Sequence, residues 1–325
     1  MIPRGEKGGK ALSRKKKNPI PMEHAFVDNA RFGLYLVLPA QVMLIFIVVF
    51  PMLSAIYLSL TTWSPMVAAG SKWYDAYKYW GWLHNYWALI RDTDFLLAIL
   101  RTVIIVLIVV PVEFLLGLAL SFLFLDKFPG KKVLHSLILI PMMIVPAVAG
   151  FTFYMLFQNV GPINAVISSI VGHQVDIPWL TGQVLAMISV MIVDIWEWTP
   201  LMFLILLSGL MALPEDQVNA AVILGASRWQ RFRLITFPLL KPVITIALII
   251  RGMEAVKIFD PIWIMTTGGP GTSTETISVY MYKHGFKFLN WSWVSAAGIL
   301  IMIIISIASI YALKPIRERE EEQVA

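Results

Sequence analysis

Six long apolar stretches dominate this 325-residue sequence and constrain its fold more than any other feature. Each can supply the roughly 20 residues that a helix needs to cross a lipid bilayer. Backbone polar groups inside a bilayer must pair within a helix or a closed barrel. The sequence therefore predicts an all-α integral membrane protein with six transmembrane helices. The predicted permease domain covers 34–313, and its spans are 34–60, 96–125, 134–157, 183–208, 242–266 and 293–313.

The composition supports the membrane assignment and excludes several kinds of chemistry. Hydrophobic residues make up 58% of the chain and charged residues 14%, whereas about 25% is usual for charged residues in soluble domains. The chain has no cysteine, which excludes disulfides, thiolate metal sites and cysteine nucleophiles. Its five histidines are scattered, and none has metal-ligand spacing.

Lysine and arginine set the expected orientation, because cytoplasmic loops of membrane proteins carry an excess of them. With the N-terminus inside, the cytoplasmic segments hold 18 of the 26 basic residues and the outer segments five. Both termini are therefore predicted to be cytoplasmic, as a basic segment 1–33 and a tail 314–325. The run SRKKKN at 13–18 is then a topology signal that attracts anionic membrane lipid, and no nucleic-acid partner is expected.

The predicted cytoplasmic loop 209–241, between spans four and five, is more structured than a plain connection requires. Pro214 is followed by Glu215 and Asp216, which suit the first turn of a helix. The spacing of Val218, Ala221, Val222 and Gly225 predicts that they share one face of this helix. Small side chains along it would let another backbone approach closely: Ala220, Ala221, Gly225 and Ala226.

A second short helix is predicted in the same loop. Its apolar face carries Trp229, Phe232 and Ile235, and we expect Pro238 and Pro242 to end it and to start span five. The residues alone leave two interpretations open. The segment is either an amphipathic hairpin that anchors the loop at the membrane surface, or a docking surface for a cytoplasmic partner.

Two carboxylates lie within span four. Asp194 and Glu197 are three residues apart and share a helix face, and Trp196 and Trp198 flank them. Carboxylates accept hydroxyl hydrogens and aromatic rings stack on C–H faces, so this group suits a carbohydrate path. The alternative is that the carboxylates serve only to pair with the backbone or with neighbouring helices.

Span five alternates in charge at steps of three residues. Each step of three residues turns the helix by about 60°. The side chains of Arg251, Glu254, Lys257 and Asp260 therefore do not form one stripe. Local pairs are predicted instead, Arg251 with Glu254 and Lys257 with Asp260. These pairs form either a self-neutralising structural network or part of a substrate path, and Glu113 in span two is a further candidate of this kind.

Five segments carry a resemblance to a known family. The loop sequence LPEDQVNAAVILGASRWQRFRLITFPLLKP (213–242) is similar to the cytoplasmic signature loop of ABC-importer permease subunits, with the carbohydrate-uptake permeases of the maltose and glycerol-phosphate type as the nearest group. Four other segments resemble that group in the same order along 34–313: GWLHNYWALIRDTDF (81–95), GPINAVI (161–167), DIWEWTP (194–200) and FDPIWIMTTGGPGTSTET (259–276).

The resemblance implies a cytoplasmic coupling helix between spans four and five that seats in an ATPase subunit. It also implies an assembly with a second homologous permease, two ATP-binding cassette subunits and an extracytoplasmic solute-binding protein. The imported substrate would be a carbohydrate or polyol. The coupling residues would be Glu215, Asp216, Asn219, Ala220, Ala221, Gly225 and Ala226. Two positions depart from the family pattern. Asn219 stands where the family usually has Glu, and Leu224 stands where an acidic residue often precedes the glycine.

The resemblance also implies that this chain is not itself an enzyme and holds no cofactor, with ATP and Mg²⁺ on the partner ATPase. The sequence has no G-x-x-x-x-G-K-[ST] stretch that would cradle phosphates. An ion-coupled secondary transporter that uses the buried carboxylates is the alternative function, and a polytopic membrane enzyme is a third. The loop at 214–242 and the lack of an internal repeat disfavour the secondary transporter. The enzyme would need a His/Asp or metal cluster, which the sequence lacks.

Overall fold

A computed structural model describes the backbone of residues 22–66 and 79–324, and the side chains of 32–66, 79–214 and 216–314. The basic run 13–18 and the side chain of Glu215 lie outside the described residues. The described backbone is helical and contains one isolated bridge, Thr61 to Trp80, but no strand. The thirteen α-helices are α1 (Met22–Ser59), α2 (His84–Arg91), α3 (Thr93–Leu123), α4 (Lys131–Met143), α5 (Pro146–Leu156), α6 (Pro162–Val171), α7 (Gln183–Met211), α8 (Glu215–Ile223), α9 (Arg228–Arg231), α10 (Phe237–Val256), α11 (Asp260–Thr266), α12 (Ile277–Tyr282) and α13 (Trp291–Val324).

The chain divides into two compact units, Met1–Ser54 and Ala55–Ala325. The described part of the first unit is the N-terminal portion of α1, an apolar helix in which Phe46 and Phe50 stack with ring centroids 5.5 Å apart. The second unit contains the end of α1 and all the other helices. All the groups discussed below lie in the second unit.

The all-α membrane fold predicted from hydropathy is confirmed. Among the described residues, five helical segments are long and apolar enough to cross a bilayer, and a bent pair makes a sixth. Their apolar parts are Phe32–Ser59, Thr93–Leu123, Gln183–Met211, Arg228–Val256, Trp291–Lys314 and the pair Lys131–Met143 with Pro146–Leu156. The helix α13 continues to Val324, so the predicted tail 314–325 is helical over most of its length.

The third predicted span, 134–157, is not one straight helix. The axes of α4 and α5 differ by 96° across a break at Ile144 and Val145. Val145 precedes Pro146, and the proline ring disfavours a helical conformation at the residue before it. Val145 accordingly takes an extended conformation, with φ −64° and ψ 132°, and Pro146 begins the next helix.

The fifth predicted span, 242–266, differs most from the structure. Helical backbone runs from Arg228 to Val256 and includes a π-helical turn, Phe232–Thr236. Pro238 and Pro242 therefore do not end a helix. The π turn shifts the hydrogen-bond register just before α10, and Pro238 then occupies one of its first positions, where its missing N–H is tolerated. Residues 257–259 break the helix, and α11 follows.

The start of this long helix carries a sequence signal, the pair Ser227 and Gln230, that the hydropathy pattern does not reveal. Ser227 Oγ accepts from Gln230 N at 3.2 Å, and Gln230 Oε1 accepts from Ser227 N at 2.8 Å. This reciprocal pair of hydrogen bonds is a capping box, and the sequence pattern S-x-x-Q predicts it. It explains why the helix begins 14 residues before the predicted span.

Three helices form the centre of the second unit. The helices α3 and α7 make the most extensive helix pair among the described residues, and α10 packs against both. The core that these three helices share contains Val110 of α3, Met202 of α7, and Ala247 and Ala255 of α10. This packing brings the polar groups of α3, α7 and α10 together inside the bundle.

Candidate functional site

A buried ion-pair cluster joins the three central helices. Arg251 of α10 donates from Nε to Glu113 Oε2 at 2.6 Å and from Nη2 to Glu113 Oε1 at 2.9 Å. Its Nη2 also donates to Asp194 Oδ2 of α7. All three residues are buried. Two carboxylates on two helices thus share one guanidinium on a third, and the fork geometry of arginine makes the bidentate contact with Glu113 possible.

The local pairs predicted for span five are wrong. Arg251 does not pair with Glu254 but with carboxylates 138 and 57 residues away. Lys257 pairs with Glu254 at 2.7 Å, on side chains that are 61% and 46% exposed. Arg251 lies on the helix face that packs against α3 and α7, so its partners come from those helices. Glu113, a secondary candidate in the sequence, is therefore central to the cluster.

A cavity of about 160 Å³ adjoins this cluster. Both carboxylates of span four line it, together with Arg251 and the Trp198 ring, whose centroid lies 5.3 Å from the Arg251 guanidinium carbon. Trp196 is not part of this group, since it is 37% exposed and packs edge-on against Phe153 at 5.2 Å. The expected aromatic flank is thus Trp198 alone. The remaining charged residues of span five also line the cavity: Glu254, Lys257 and Asp260.

Glu197 is the most unusual group in this cavity. Within the part of the chain that the structure describes, its buried Oε2 has no hydrogen-bond partner. A buried carboxylate oxygen without a donor has lost water and gained nothing in exchange. Such an atom in a cavity wall marks a place where a donor from outside the chain would bind favourably.

Interrupted helices shape the cavity. Pro146 at the start of α5 and residues 258–261 around the α10–α11 break all line it. The two half-helices α5 and α11 pack closely, and a Cβ placed on Gly150 would lie 2.9 Å from Pro261 Cα. Irregular backbone at membrane depth is tolerated where it lines a cavity, and such breaks mark binding sites in transporters. The prolines at 141, 146 and 261 were the sequence signal for these breaks, and the sequence analysis missed it.

The candidate coupling segment ends in a specific turn. Gly225 N donates to Val222 O at 3.0 Å and Ala226 N to Ala221 O at 2.9 Å, a Schellman arrangement that closes α8. Gly225 has φ +76°, a conformation that favours glycine. A Cβ on Gly225 would meet nothing within 4 Å. The glycine is therefore needed for the turn and does not serve close packing within the described part of this chain; the predicted close approach of another backbone stays a prediction.

Most of the predicted coupling residues lie on the surface. Asp216, Asn219, Ala220 and Gly225 are exposed, Ala226 is half-buried, and Ala221 is buried. The expected apolar face is only partly formed, because Val222 is 49% exposed and Gly225 lies beyond the helix end. The next two side chains, Ile223 and Leu224, are both 86% exposed. This leaves an uncovered apolar edge at the end of α8.

A second polar cluster lies at the start of α3, away from the spans' centre. Asp92 caps α3 by accepting from Phe95 N at 3.0 Å, and it also accepts from the Tyr280 hydroxyl at 3.1 Å. Burial raises the pKa of Tyr280, which therefore stays a neutral donor. Burial also lowers the pKa of His284, whose ring lies 4.2 Å from that of Tyr280. The cluster fastens α12 to α3 and has the character of a structural site.

Comparisons with known proteins agree with one another. Residues 86–319 match the family described as binding-protein-dependent transport system inner membrane component. The probable ABC transporter permease protein y4oQ of Sinorhizobium fredii is 36% identical over 84% of this chain and 86% of its own length. The trehalose/maltose transport system permease protein MalF of Thermococcus litoralis is 30% identical over 90% and 96% of the two chains. A crystal structure of a bacterial ABC transporter involved in the import of the acidic polysaccharide alginate has the same fold, with a TM-score of 0.74, 20% identity, and coverage of 91% and 99%.

Proposed function

We propose that this chain, which belongs to the family of binding-protein-dependent transport system inner membrane components, forms half of the translocation path of an ATP-driven importer of a carbohydrate or related polyol. The observation that carries the substrate class is the cavity at the α4–α5 and α10–α11 breaks. Its wall combines the buried acceptor oxygen of Glu197 with the ring of Trp198. Hydroxyl hydrogens and C–H faces are what a sugar offers to such a wall.

The assembly that we propose follows the family pattern. A second homologous permease would face this chain and supply the other wall of the path. The cavity here, about 160 Å³, is smaller than the roughly 300 Å³ at the low end of ligand pockets, so a second wall is needed to enclose a sugar. Two ATP-binding cassette subunits would bind ATP and Mg²⁺, and an extracytoplasmic binding protein would deliver the substrate. The trehalose/maltose name of the Thermococcus relative supports a carbohydrate substrate.

We assign the contact with the ATPase to the end of α8 and the turn that follows it. This places both termini and the loop 209–241 in the cytoplasm, as the basic residues predict. Ile223 and Leu224 offer an exposed apolar edge, which suits burial by a partner subunit. The exposed Asn219 can still hydrogen-bond at the position where the family pattern has Glu. Leu224, in place of an acidic residue, would contribute apolar contact in place of charge.

ATP hydrolysis by the assembled complex tests the function. The chain is co-expressed with its partner permease, ATPase and binding protein, and reconstituted in lipid. Stimulation is then measured with trehalose, maltose, sorbitol and glycerol 3-phosphate. Stimulation by at least one of these compounds is expected. An assembled, folded complex that none of them stimulates would contradict the carbohydrate function. A chain that takes up sugar without an ATPase, driven by a proton gradient, would instead support the ion-coupled transporter.

Substitution of Gly225 by alanine is expected to weaken ATPase retention and to lower stimulated hydrolysis several-fold. Alanine at a positive φ costs about 1–2 kcal/mol, so the turn that orients the end of α8 would open. Gly225→Asn should keep more activity, because asparagine tolerates this conformation. Co-purification of the ATPase and stimulated ATP hydrolysis are the two measurements.

Gly172 provides a matched control for this substitution. It follows α6 with φ +80°, and a Cβ there also meets nothing within 4 Å. Gly172→Ala thus introduces the same backbone strain in a loop that the predicted topology places outside. The ATPase should remain bound to that variant. Equal loss in both variants, or loss in neither, would overturn the coupling assignment.

A further inference from the structure

Among the described residues that line the cavity, both basic side chains are paired with carboxylates. Arg251 lies in the cavity wall, but three of its guanidinium hydrogen bonds go to Glu113 and Asp194. Two carboxylates therefore offset its single positive charge. The other basic group in the wall, Lys257, is paired with Glu254 at 2.7 Å. Three of the five guanidinium N–H donors of Arg251 and the ammonium group of Lys257 are therefore already bonded to carboxylates of this chain, which weakens the attraction of either cation for an anionic ligand.

The balance of charge in the wall is negative. Four carboxylates and two basic groups line the cavity, which gives a formal charge of −2 when all are ionised. Glu113, immediately behind Arg251, adds a further negative charge. Protonation of Glu197 would reduce the imbalance by one and still leave no unpaired cation. The buried members of this wall, Asp194 and Glu197, are screened by water less than the exposed ones, and charges of this sign repel an anion.

Helix ends do not reverse this balance. The N-terminus of α5 carries a partial positive charge of at most about +0.5, which is smaller than the net negative charge of the wall. The other helix that begins at the cavity, α11, has an acidic residue, Asp260, in its first turn. Asp260 neutralises that dipole end within the chain itself.

The unpartnered carboxylate oxygen of Glu197 determines which ligand groups can bind at the cavity wall. Glu197 Oε2 accepts hydrogen bonds when ionised, and no donor of the described chain reaches it. A hydroxyl or an ammonium group can donate to it, whereas a ligand carboxylate or phosphate oxygen cannot. Hydrogen bonds to a charged acceptor are also stronger than neutral ones. Hydrogen bonding therefore calls for a ligand with a hydroxyl or ammonium donor, and the charge balance disfavours a ligand that also carries a negative charge.

We propose that this cavity selects neutral or positively charged hydroxylated ligands, such as neutral sugars and amino sugars, and rejects sugar acids and sugar phosphates. The inference rests on the proposed function, and Glu197 is the specificity-determining residue. It also separates this chain from the alginate importer with which it shares a fold, since the substrate named for that transporter is an acidic polysaccharide.

The test compares three sugars of matched size and different charge. Uptake is measured in the reconstituted complex with its binding protein for trehalose, 6-amino-6-deoxytrehalose and the 6-uronic acid of trehalose, and for the same derivatives of maltose. The ratio of neutral or amino sugar uptake to acid uptake is then compared between the wild type and Glu197→Gln. Both complexes use the same binding protein, so its own preference cancels in this comparison.

Glu197→Gln is expected to lower uptake of the neutral and amino sugars about tenfold, as expected when a hydrogen bond to a charged group is weakened. It should not lower uptake of the acid, because the variant wall carries one negative charge fewer. The ratio should therefore fall at least about tenfold. Asp126→Asn removes an exposed carboxylate outside the cavity and should leave the ratio unchanged. Glu197→Asp keeps the charge and should keep most of the preference. If Glu197→Gln does not assemble, Asp260→Asn, at an exposed position of the wall, should shift the ratio in the same direction.

Three outcomes would overturn the inference, and the failure of the charge selectivity alone is distinguishable from the failure of the carbohydrate function. Neutral sugar uptake with an unchanged ratio in Glu197→Gln, or wild-type uptake of the acids equal to that of the neutral sugars, would overturn the charge selectivity and leave the carbohydrate function standing. No uptake of any of the six sugars by an intact complex with active ATPase subunits would overturn both.

Discussion

Replacement of Arg251 by methionine is expected to prevent stable folding of this chain. The substitution leaves Glu113 and Asp194 buried without their shared cation. Removing one partner of a buried ion pair costs about 3–5 kcal/mol, and two stranded carboxylates place this case at the upper end. The expected result is little monodisperse protein after detergent extraction, and a markedly lower unfolding temperature for whatever remains.

Two further variants separate this effect from a simple loss of side-chain volume. The triple variant Arg251→Met, Glu113→Gln, Asp194→Asn removes all three charges and should recover most of the lost stability, because an apolar or neutral replacement of a buried ion pair is often tolerated. Lys257→Met breaks the exposed pair with Glu254 and should change the stability by less than about 1 kcal/mol. An Arg251→Met protein as stable as the wild type would show that the cluster does not hold the three helices together.

The charged residues of the candidate site could be predicted from the sequence, but their partners could not. The sequence identified every charged residue of the cluster and of the cavity wall, because ionisable residues inside apolar spans stand out. It assigned the wrong partners, because spacing within one helix reveals only neighbours three or four residues away. The partners of Arg251 are 138 and 57 residues distant and depend on how α3, α7 and α10 pack. No pattern within span five contains that information.

More of the fold than of the candidate site could be predicted from the sequence. Hydropathy located all six apolar stretches, since the bilayer imposes their length. It missed both breaks, because average hydropathy does not respond to a single proline, although Pro146 and Pro261 marked the places where new helices begin. It also placed the start of the fifth span too late. The capping box at Ser227 and Gln230 decided that boundary, and the prolines that seemed to end a helix are absorbed after a π turn.

Close approach of α3 and α7 depends on one glycine, and this gives the second large effect. A Cβ on Gly117 would lie 2.8 Å from Met202 Cβ, 2.9 Å from Phe203 N and 3.0 Å from Met202 C. One turn later, Ser121 Oγ donates to Phe203 O at 3.1 Å. Small residues four apart let two membrane helices approach at backbone distance. Gly117 lies one turn after Glu113, so the same contact also sets the position of the ion-pair cluster.

Gly117→Ala is therefore expected to destabilise the chain by about 1–3 kcal/mol, as an overpacked interface does. Alanine substitutions at two other glycines, Gly209 and Gly252, provide a graded comparison of the loss of stability. At Gly209 the added methyl would meet side-chain carbons of Leu240 and Val243 and no backbone atom, so a smaller loss than at Gly117 is expected. At Gly252 it would meet nothing within 4 Å, so no loss is expected. The unfolding temperature of the three purified variants in one detergent measures the series.

The direction of this series distinguishes packing from helix propensity. Alanine is a better helix former than glycine by about 1 kcal/mol, so propensity alone would stabilise all three variants. A loss at Gly117 must then come from the contact with Met202 and Phe203, and it should exceed the gain in propensity. Similar unfolding temperatures for Gly117→Ala and Gly252→Ala would mean that α3 and α7 do not pack at backbone distance. Because Glu113 and Asp194 lie on these two helices, Gly117→Ala should also lower sugar uptake more than Gly209→Ala does.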